Sequence, residues 1–318
     1  MSATMGAVEF ATGWRYGLSM AEYAAIPAMS ASGLENLRIS PAHYLHRSRA
    51  PREQTPAMAL GSALHSALLE PLLFESRYVA IGQCEALKKD GTRCASAGSR
   101  LRDGRSVCGT HDPDKNLPAA PDGVELVAEA DLARINGMCA AVLRHPEARQ
   151  WFRGKGASEI TGVWRDEVTG VLCKIRVDRE IERAAWIHMD LKTTRDAAPE
   201  AFARSVGNLG YHRRAAWYRR GLEALGREVT ASVLVAVETE ARLDYGHGPE
   251  HGCVAYLLDE GNLTACQPEI DRLLAIYAEC ERSGRWPGYP EQFQPLAVKP
   301  WDLPTAPETR DDEDGTDD

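Results

Sequence analysis

Between Gln83 and Gly123 the chain loses its periodic hydrophobics and becomes rich in Gly, Ser, Asp, Lys and Pro. A stretch of that composition buries too little apolar surface to fold unaided, yet helical and strand patterns resume on both sides of it. It is therefore an insertion into a fold, and it needs a cross-link of its own. Cys84, Cys94, Cys108 and His111 supply one in the spacing Cys-x9-Cys-x13-Cys-x2-His. Three thiolates and one imidazole complete a tetrahedral shell for structural Zn²⁺, and Gly91, Gly98, Gly104 and Gly109 allow the turns. The first interval is wider than the usual spacing of about two to four residues, which leaves incidentally clustered free thiols as the alternative.

The other five cysteines, Cys139, Cys173, Cys253, Cys266 and Cys280, are scattered and read as buried thiols of a cytosolic chain. A length of 318 residues with 44% hydrophobic and 26% charged residues is ordinary for a globular protein and excludes general disorder, collagen and coiled coil. No apolar run approaches a membrane span and no signal pattern opens the chain, so the expectation is a soluble, intracellular protein with no membrane partner. The net charge of −9 is concentrated at the end: Glu308 to Asp318 carries −6, leaving −3 for the 307 residues before it. The tail reads as a solvated terminus, with partner binding or DNA mimicry as the sharper alternative. Any basic patch on the body must be local.

The periodicities predict a mixed α/β fold, a small sheet flanked by helices. Ser32 and Glu35 have the spacing of a helix capping box, opening a helix that stops near Ser40-Pro41. A second helix starts at Pro41, and a third runs from Met58 to Phe74 on its leucines. Glu125 to Leu143 is helical. Glu159 to Asp166 and Val171 to Arg179 alternate around Gly170 as a hairpin, and Trp186 to Thr193 is a third strand. A helix broken at Gly207 to Gly210 spans Ala197 to Leu225. Val229 to Val237 is the most strand-like run and is placed centrally. Cys253 to Leu258 is a shorter strand and Leu263 to Arg282 a closing helix, after which Pro and acid dominate.

Strand alternation puts Asp190 and Lys192 on one face, and Lys174, Arg176 and Asp178 on one face of the strand before. Two adjacent strands can thus deliver Asp178, Asp190 and Lys192 to one spot. Converging acids repel unless a divalent cation lies between them, and hard oxygen ligands suit Mg²⁺. A lone Asp-x-Lys triplet is expected about once by chance in such a composition, but an otherwise apolar strand has little structural use for Asp190 and Lys192 on one face.

Asp178, eleven residues, then Asp190-Leu-Lys192 resembles the PD-(D/E)xK nuclease signature, with Arg176-Val-Asp178 as its first half. Gly61-Ser-Ala-Leu-His65, Glu159, Cys173-Lys-Ile-Arg-Val-Asp178, Asp190-Leu-Lys-Thr-Thr194 and Tyr211-His-Arg-Arg-Ala-Ala-Trp-Tyr218 follow in order. With Ser30-Ala-Ser-Gly-Leu and Ser40-Pro-Ala-His-Tyr44, this set is similar to the RecE exonuclease domain (exodeoxyribonuclease VIII), related to RecB-type and phage lambda-type exonucleases. The resemblance implies a restriction-endonuclease-like α/β core over residues 19–285, interrupted by a zinc knuckle at 83–123, between an N-terminal arm at 1–18 and a Pro-rich, acidic tail at 286–318. It implies that His65, Asp178, Asp190 and the Leu191 carbonyl hold Mg²⁺, or Mn²⁺ in its place. Lys192 would then position the attacking water, and Glu159 would add a further acid.

The implied activity is hydrolysis of linear double-stranded DNA from its ends, 5′ to 3′, by a ring-shaped homo-oligomer paired with a single-strand annealing recombinase. The implied setting is the cytoplasm of a bacterial host, encoded by phage or prophage. Tyr211, Arg214 and Tyr218 share one helical face toward DNA, although the family usually carries Gln where Arg214 stands. Arg213, Arg219 and Arg220 add local positive charge, and Ser32, with Ser30 and Ser40, offers hydroxyls to a 5′ phosphate. The insertion resembles small Cys3His zinc knuckles, and six basic residues, Lys88, Lys89, Arg93, Arg100, Arg102 and Arg105, suggest a DNA-contacting finger. The rival readings are a RecB-like endonuclease or structure-specific nuclease, and a catalytically inactive, zinc-dependent DNA-binding module.

Overall fold

The computed structural model describes residues 11–50, 54–153, 156–181 and 186–298. The chain opens with β1 (Gly13–Arg15) and the short α1 (Met20–Ala25), which buries none of its own side chains. Helices α2 (Ala31–Ile39) and α3 (Pro41–Arg49) follow, divided at Ser40, whose hydroxyl accepts from the His43 N–H at 3.3 Å. The cap of α2 is Ser30, accepting from the Gly33 N–H at 3.2 Å. Ser32 therefore lies inside the first turn, exposed, and does not form the expected capping box. The helix expected from Met58 to Phe74 is two, α4 (Pro56–Leu69) and α5 (Pro71–Arg77). Pro71 has no N–H to continue the ladder and sits at the start of the second, where none is needed.

Strands β2 (Tyr78–Ile81) and β5 (Glu125–Ala128) pair in parallel and form the stem of the insertion. The first four residues of the expected helix at Glu125 thus belong to a strand. Within the insertion, β3 (Arg100–Arg102) and β4 (Arg105–Val107) form a hairpin across Asp103-Gly104, where both residues take positive φ, as a two-residue hairpin turn requires. Then come α6 (Glu129–Arg144), α7 (Arg149–Arg153), β6 (Gly156–Arg165), β7 (Leu172–Ile181) and β8 (Trp186–Thr194). Helices α8 (Pro199–Leu209) and α9 (Tyr211–Ala224) meet at Gly210, whose φ of +68° suits glycine. The chain ends with β9 (Val229–Asp244), β10 (Pro249–Leu257), α10 (Glu260–Ala265) and α11 (Gln267–Ser283).

The single small sheet of the sequence reading is two three-stranded sheets. One is antiparallel, in the order β1-β6-β7; the other is mixed, in the order β10-β9-β8, with β9 central as expected and parallel to β8. Strands β7 and β8 lie against each other where the two sheets meet. On β8, Met189 and Leu191 point into a core with Leu64, Ile135 and Met138 from α4 and α6. A second core, around Trp164, Ile175 and Trp217, joins β6 and β7 to α2, α9 and α11. Because side chains alternate along β8, packing Met189 and Leu191 on one face turns Asp190 and Lys192 to the other. Beyond α11, Trp286 stacks on Tyr44 and meets Tyr277 edge-on, so the start of the Pro-rich tail is packed on the helices.

A candidate metal-binding active site

The junction of β7 and β8 collects the charged residues. The Leu191 N–H donates to Asp178 Oδ2 at 3.1 Å, tying the two strands together at the acid. Asp190 pairs with Lys192, two residues along the same strand face. From α4, His65 Nε2 contacts the Leu191 carbonyl at 2.9 Å. A carbonyl oxygen only accepts, so that nitrogen carries the proton and Nδ1 keeps its lone pair. Nδ1 lies 3.6 Å from Asp178 Oδ2, and His65, Glu159 and Asp178 each offer a ligand atom within 4.8 Å of the other two.

Glu159 reaches this cluster at a backbone cost. In the β6/β7 ladder Ser158 pairs with Arg179 and Ile160 with Val177; between those pairs Glu159 takes a φ of +55°. That left-handed conformation is uncommon for any residue with a Cβ and tends to mark functional sites. The Glu159 carboxylate pairs with the buried Arg176 guanidinium, which also donates to the Leu18 carbonyl at 2.8 Å. Next to it on β7, the Lys174 ammonium donates to the carbonyls of Tyr23, Ala24 and Ile26 at 2.8, 3.2 and 2.7 Å. The strand face that carries Asp178 thus also clamps α1, and both cations face the Tyr23 ring.

Burial, and then the charge of Asp190, push the Asp178 carboxyl well above the usual carboxylate range. Burial works in the same direction on Asp190, but the Lys192 ammonium beside it outweighs burial and holds that carboxyl low. Burial followed by the Lys192 charge holds His65 below its ordinary value, hence neutral and able to donate a lone pair. Two carboxylates and an imidazole around a buried acid that resists ionisation fit a divalent cation of the Mg²⁺ or Mn²⁺ kind. The Leu191 carbonyl, expected as a ligand, is engaged by His65.

Lys192 Nζ on β8 and the Arg214 guanidinium on α9 lie 5.2 and 5.9 Å from the ring centroid of Tyr211, also on α9. Tyr218 packs instead on the buried His188 ring, at 4.9 Å. His188 was not singled out by its sequence context, and its Nδ1 has no hydrogen-bond partner. The local positive charge expected of Arg213, Arg219 and Arg220 is cancelled by acids: Glu35 for the first, Glu223 and Glu260 for the second, Asp166 and Asp271 for the third. Ser32 lies exposed on the first turn of α2.

The insertion gathers Cys84, Cys94, Cys108 and His111, all ligand atoms within 4.8 Å of one another. His111 Nδ1 lies 3.7 and 3.3 Å from the sulfurs of Cys84 and Cys108, close to the separation of about 3.5 Å that tetrahedral zinc bond lengths dictate. None of the eight cysteines forms a disulfide. Two of the six basic residues of the insertion are tied up, Arg100 and Arg102 holding the fully buried Asp112 carboxylate. Arg93 donates to the Cys84 and Gln83 carbonyls yet stays exposed, as do Lys88, Lys89 and Arg105. Asp112 itself was missed, since nothing in its spacing distinguishes it from a solvated acid.

Residues 30–296 match the family described as a PDDEXK-like domain of unknown function, DUF3799. Among solved structures, the fold is similar to that of a presumed exonuclease from Eubacterium rectale, at 14% identity and a TM-score of 0.52, over 89% of this chain and 97% of that one. No curated protein matches by sequence. Among the described residues no helix is long and apolar enough to cross a membrane.

Proposed function

Because the chain belongs to the PDDEXK-like family DUF3799, we propose that it is a metal-dependent deoxyribonuclease acting on the ends of linear double-stranded DNA. The observation that carries this is the meeting of Asp178, Asp190, Lys192, His65 and Glu159 at one strand junction. His65, Asp178 and Glu159, with Asp190 beside them, would hold Mg²⁺ or Mn²⁺. A bound cation there would supply Lewis acidity toward the phosphoryl oxygens and a lowered pKa for water. Lys192, oriented by Asp190, places a positive charge where the attacking water and the phosphate meet. Water oxygen bonds to phosphorus as the bond to O3′ breaks, leaving a 3′ hydroxyl and a 5′ phosphate. Tyr211 and Arg214 line the approach to Lys192. Tyr218, packed on His188, supports that approach from below, and Ser32 contacts DNA only if the duplex extends over α2.

The insertion holds a structural zinc in this reading, with the fit resting on the Cys3His distances. Degradation 5′ to 3′, a ring-shaped homo-oligomer, an annealing recombinase partner and a phage or prophage setting in the bacterial cytoplasm remain part of the proposal through the RecE resemblance. The test is digestion of linear duplex labelled separately at each 5′ and 3′ end, with Mg²⁺, Mn²⁺ or EDTA, beside a closed circle. Metal-dependent loss of 5′ label, sparing of circles and an inert Asp190→Ala variant are expected. Cut circles would make it an endonuclease, and an inert, folded, zinc-loaded wild type would make it a binding module.

A further inference from the structure

The Glu159 carboxylate is anchored from the side away from His65 and Asp178. Arg176, buried on β7, donates from Nε to Glu159 Oε2 and from Nη1 to the Leu18 carbonyl at 2.8 Å. The bond from Nε takes one carboxylate oxygen and leaves the other, and Glu159 is one of the three groups whose ligand atoms lie within 4.8 Å of one another. A planar, forked guanidinium holds two acceptors at a fixed angle, which an ammonium does not.

The Leu18 carbonyl belongs to the chain entering α1, and α1 is seated by its main chain. It has six residues, none with a buried side chain, too few to form a stable helix alone. It is tied down by carbonyls against buried cations, Leu18 on Arg176 and Tyr23, Ala24 and Ile26 on Lys174. The Tyr23 ring centroid lies 4.7 and 5.9 Å from the two charges. The helix is opened by a capping box of exposed residues: Ser19 Oγ accepts from the Glu22 N–H at 3.2 Å, and the Ser19 N–H donates to Glu22 Oε2 at 2.7 Å.

We propose that Arg176 is a positioning residue of the metal site and that α1 is the strap that keeps it in place. The guanidinium fixes one oxygen of Glu159 so that the other is presented to the cation shared with His65 and Asp178, and the Leu18 carbonyl fixes the guanidinium. The inference rests on the metal-site reading above and adds the N-terminal segment to it: cation affinity depends on residues that touch no cation.

The experiment measures Mn²⁺ affinity of the full, zinc-loaded chain from the EPR signal of free Mn²⁺, without DNA and without turnover. Arg176→Lys keeps the charge and loses the fork, and should weaken Mn²⁺ binding about tenfold or more, as loss of a group that orients a metal ligand does. Glu159→Gln should weaken it too, and Arg176→Lys should add nothing in that background, because it acts through Glu159. Ser19→Ala combined with Glu22→Ala leaves every core side chain in place. It should loosen α1 and weaken Mn²⁺ binding in the wild type but not in Glu159→Gln. Losses that simply add to that of Glu159→Gln, or an affinity unchanged in Arg176→Lys or in the capping-box variant, would overturn the proposal. Asp178→Asn should abolish binding. If the wild type binds no Mn²⁺, or Asp178→Asn binds it as the wild type does, the metal-site reading fails and the positioning role falls with it.

Discussion

Replacing Lys174 by methionine separates the cost of burying an ammonium from the benefit of the carbonyls it holds. The side chain is 6% exposed, and burial pushes its pKa from 10.5 down to about 8. Below pH 8 the lysine is charged in both the folded and the unfolded chain, and the fold bears the full penalty. Between pH 8 and 10.5 the unfolded chain binds the proton more tightly, so stability rises with pH. Above 10.5 the group is neutral in both states and the penalty is gone. A shift of about 2.5 units corresponds to about 3 kcal/mol. Urea denaturation of wild type and Lys174→Met between pH 7 and 10.5 isolates this group, because every other titration is common to both. The wild type should gain about 3 kcal/mol on the variant across that window. The carbonyls of Tyr23, Ala24 and Ile26 act the other way, since all three accept from the charged form. A stability difference that does not change with pH would mean that they offset burial completely, and the reasoning from burial would fall.

Glu159→Gly should be more stable than Glu159→Ala by about 1 kcal/mol in the same denaturation assay. Both remove the carboxylate, but only glycine accepts the φ of +55° without strain. Asp112→Ala leaves Arg100 and Arg102 facing each other inside the insertion, and should destabilise that module. The loss should appear as faster amide exchange in residues 84–112 with the body's protection intact. Cys94→Ser should release zinc by elemental analysis while leaving the salt slope of DNA binding unchanged, because Arg100 and Arg102 are already held by Asp112; a reduced slope would make the finger a DNA contact.

The parts legible in the sequence are those set by short-range geometry. The alternation of β7 and β8 fixes the faces of Asp178, Asp190 and Lys192 whatever the rest of the chain does, and the spacing of the three cysteines and one histidine carries its own chemistry. What escaped depends on contacts distant in sequence. Ser30 and Ser32 both look like caps. The structure chooses Ser30 because a Cβ at Gly33 would lie 2.8 Å from Met29 Sδ and 3.2 Å from the Tyr44 ring, which seats that turn against the core. Two of the six basic residues counted in the insertion are not free at its surface, because Asp112, which holds both arginines, is reached by the hairpin and not by spacing. The helix break at Pro71 was written in the sequence, but the leucine stripe running through it argued for continuity.

The charges themselves point to where a cation belongs. Around the strand junction Glu159 has Arg176, and Asp190 has Lys192. Among the described residues Asp178 accepts from the Leu191 N–H and lies beside a neutral imidazole; the Lys192 charge acts on it too, but burial and Asp190 push its carboxyl upward. A chain that pairs the acids on either side and, among the described residues, gives the central one no ion pair with a Lys or Arg has placed its deficit of charge at one point. That point is bordered by His65 Nδ1 on one side and by Glu159, held in a strained conformation, on the other. Packing explains neither the unpaired acid nor the strain. A divalent cation accounts for both, since it lowers the cost of ionising Asp178 and engages the carboxylate that Glu159 presents.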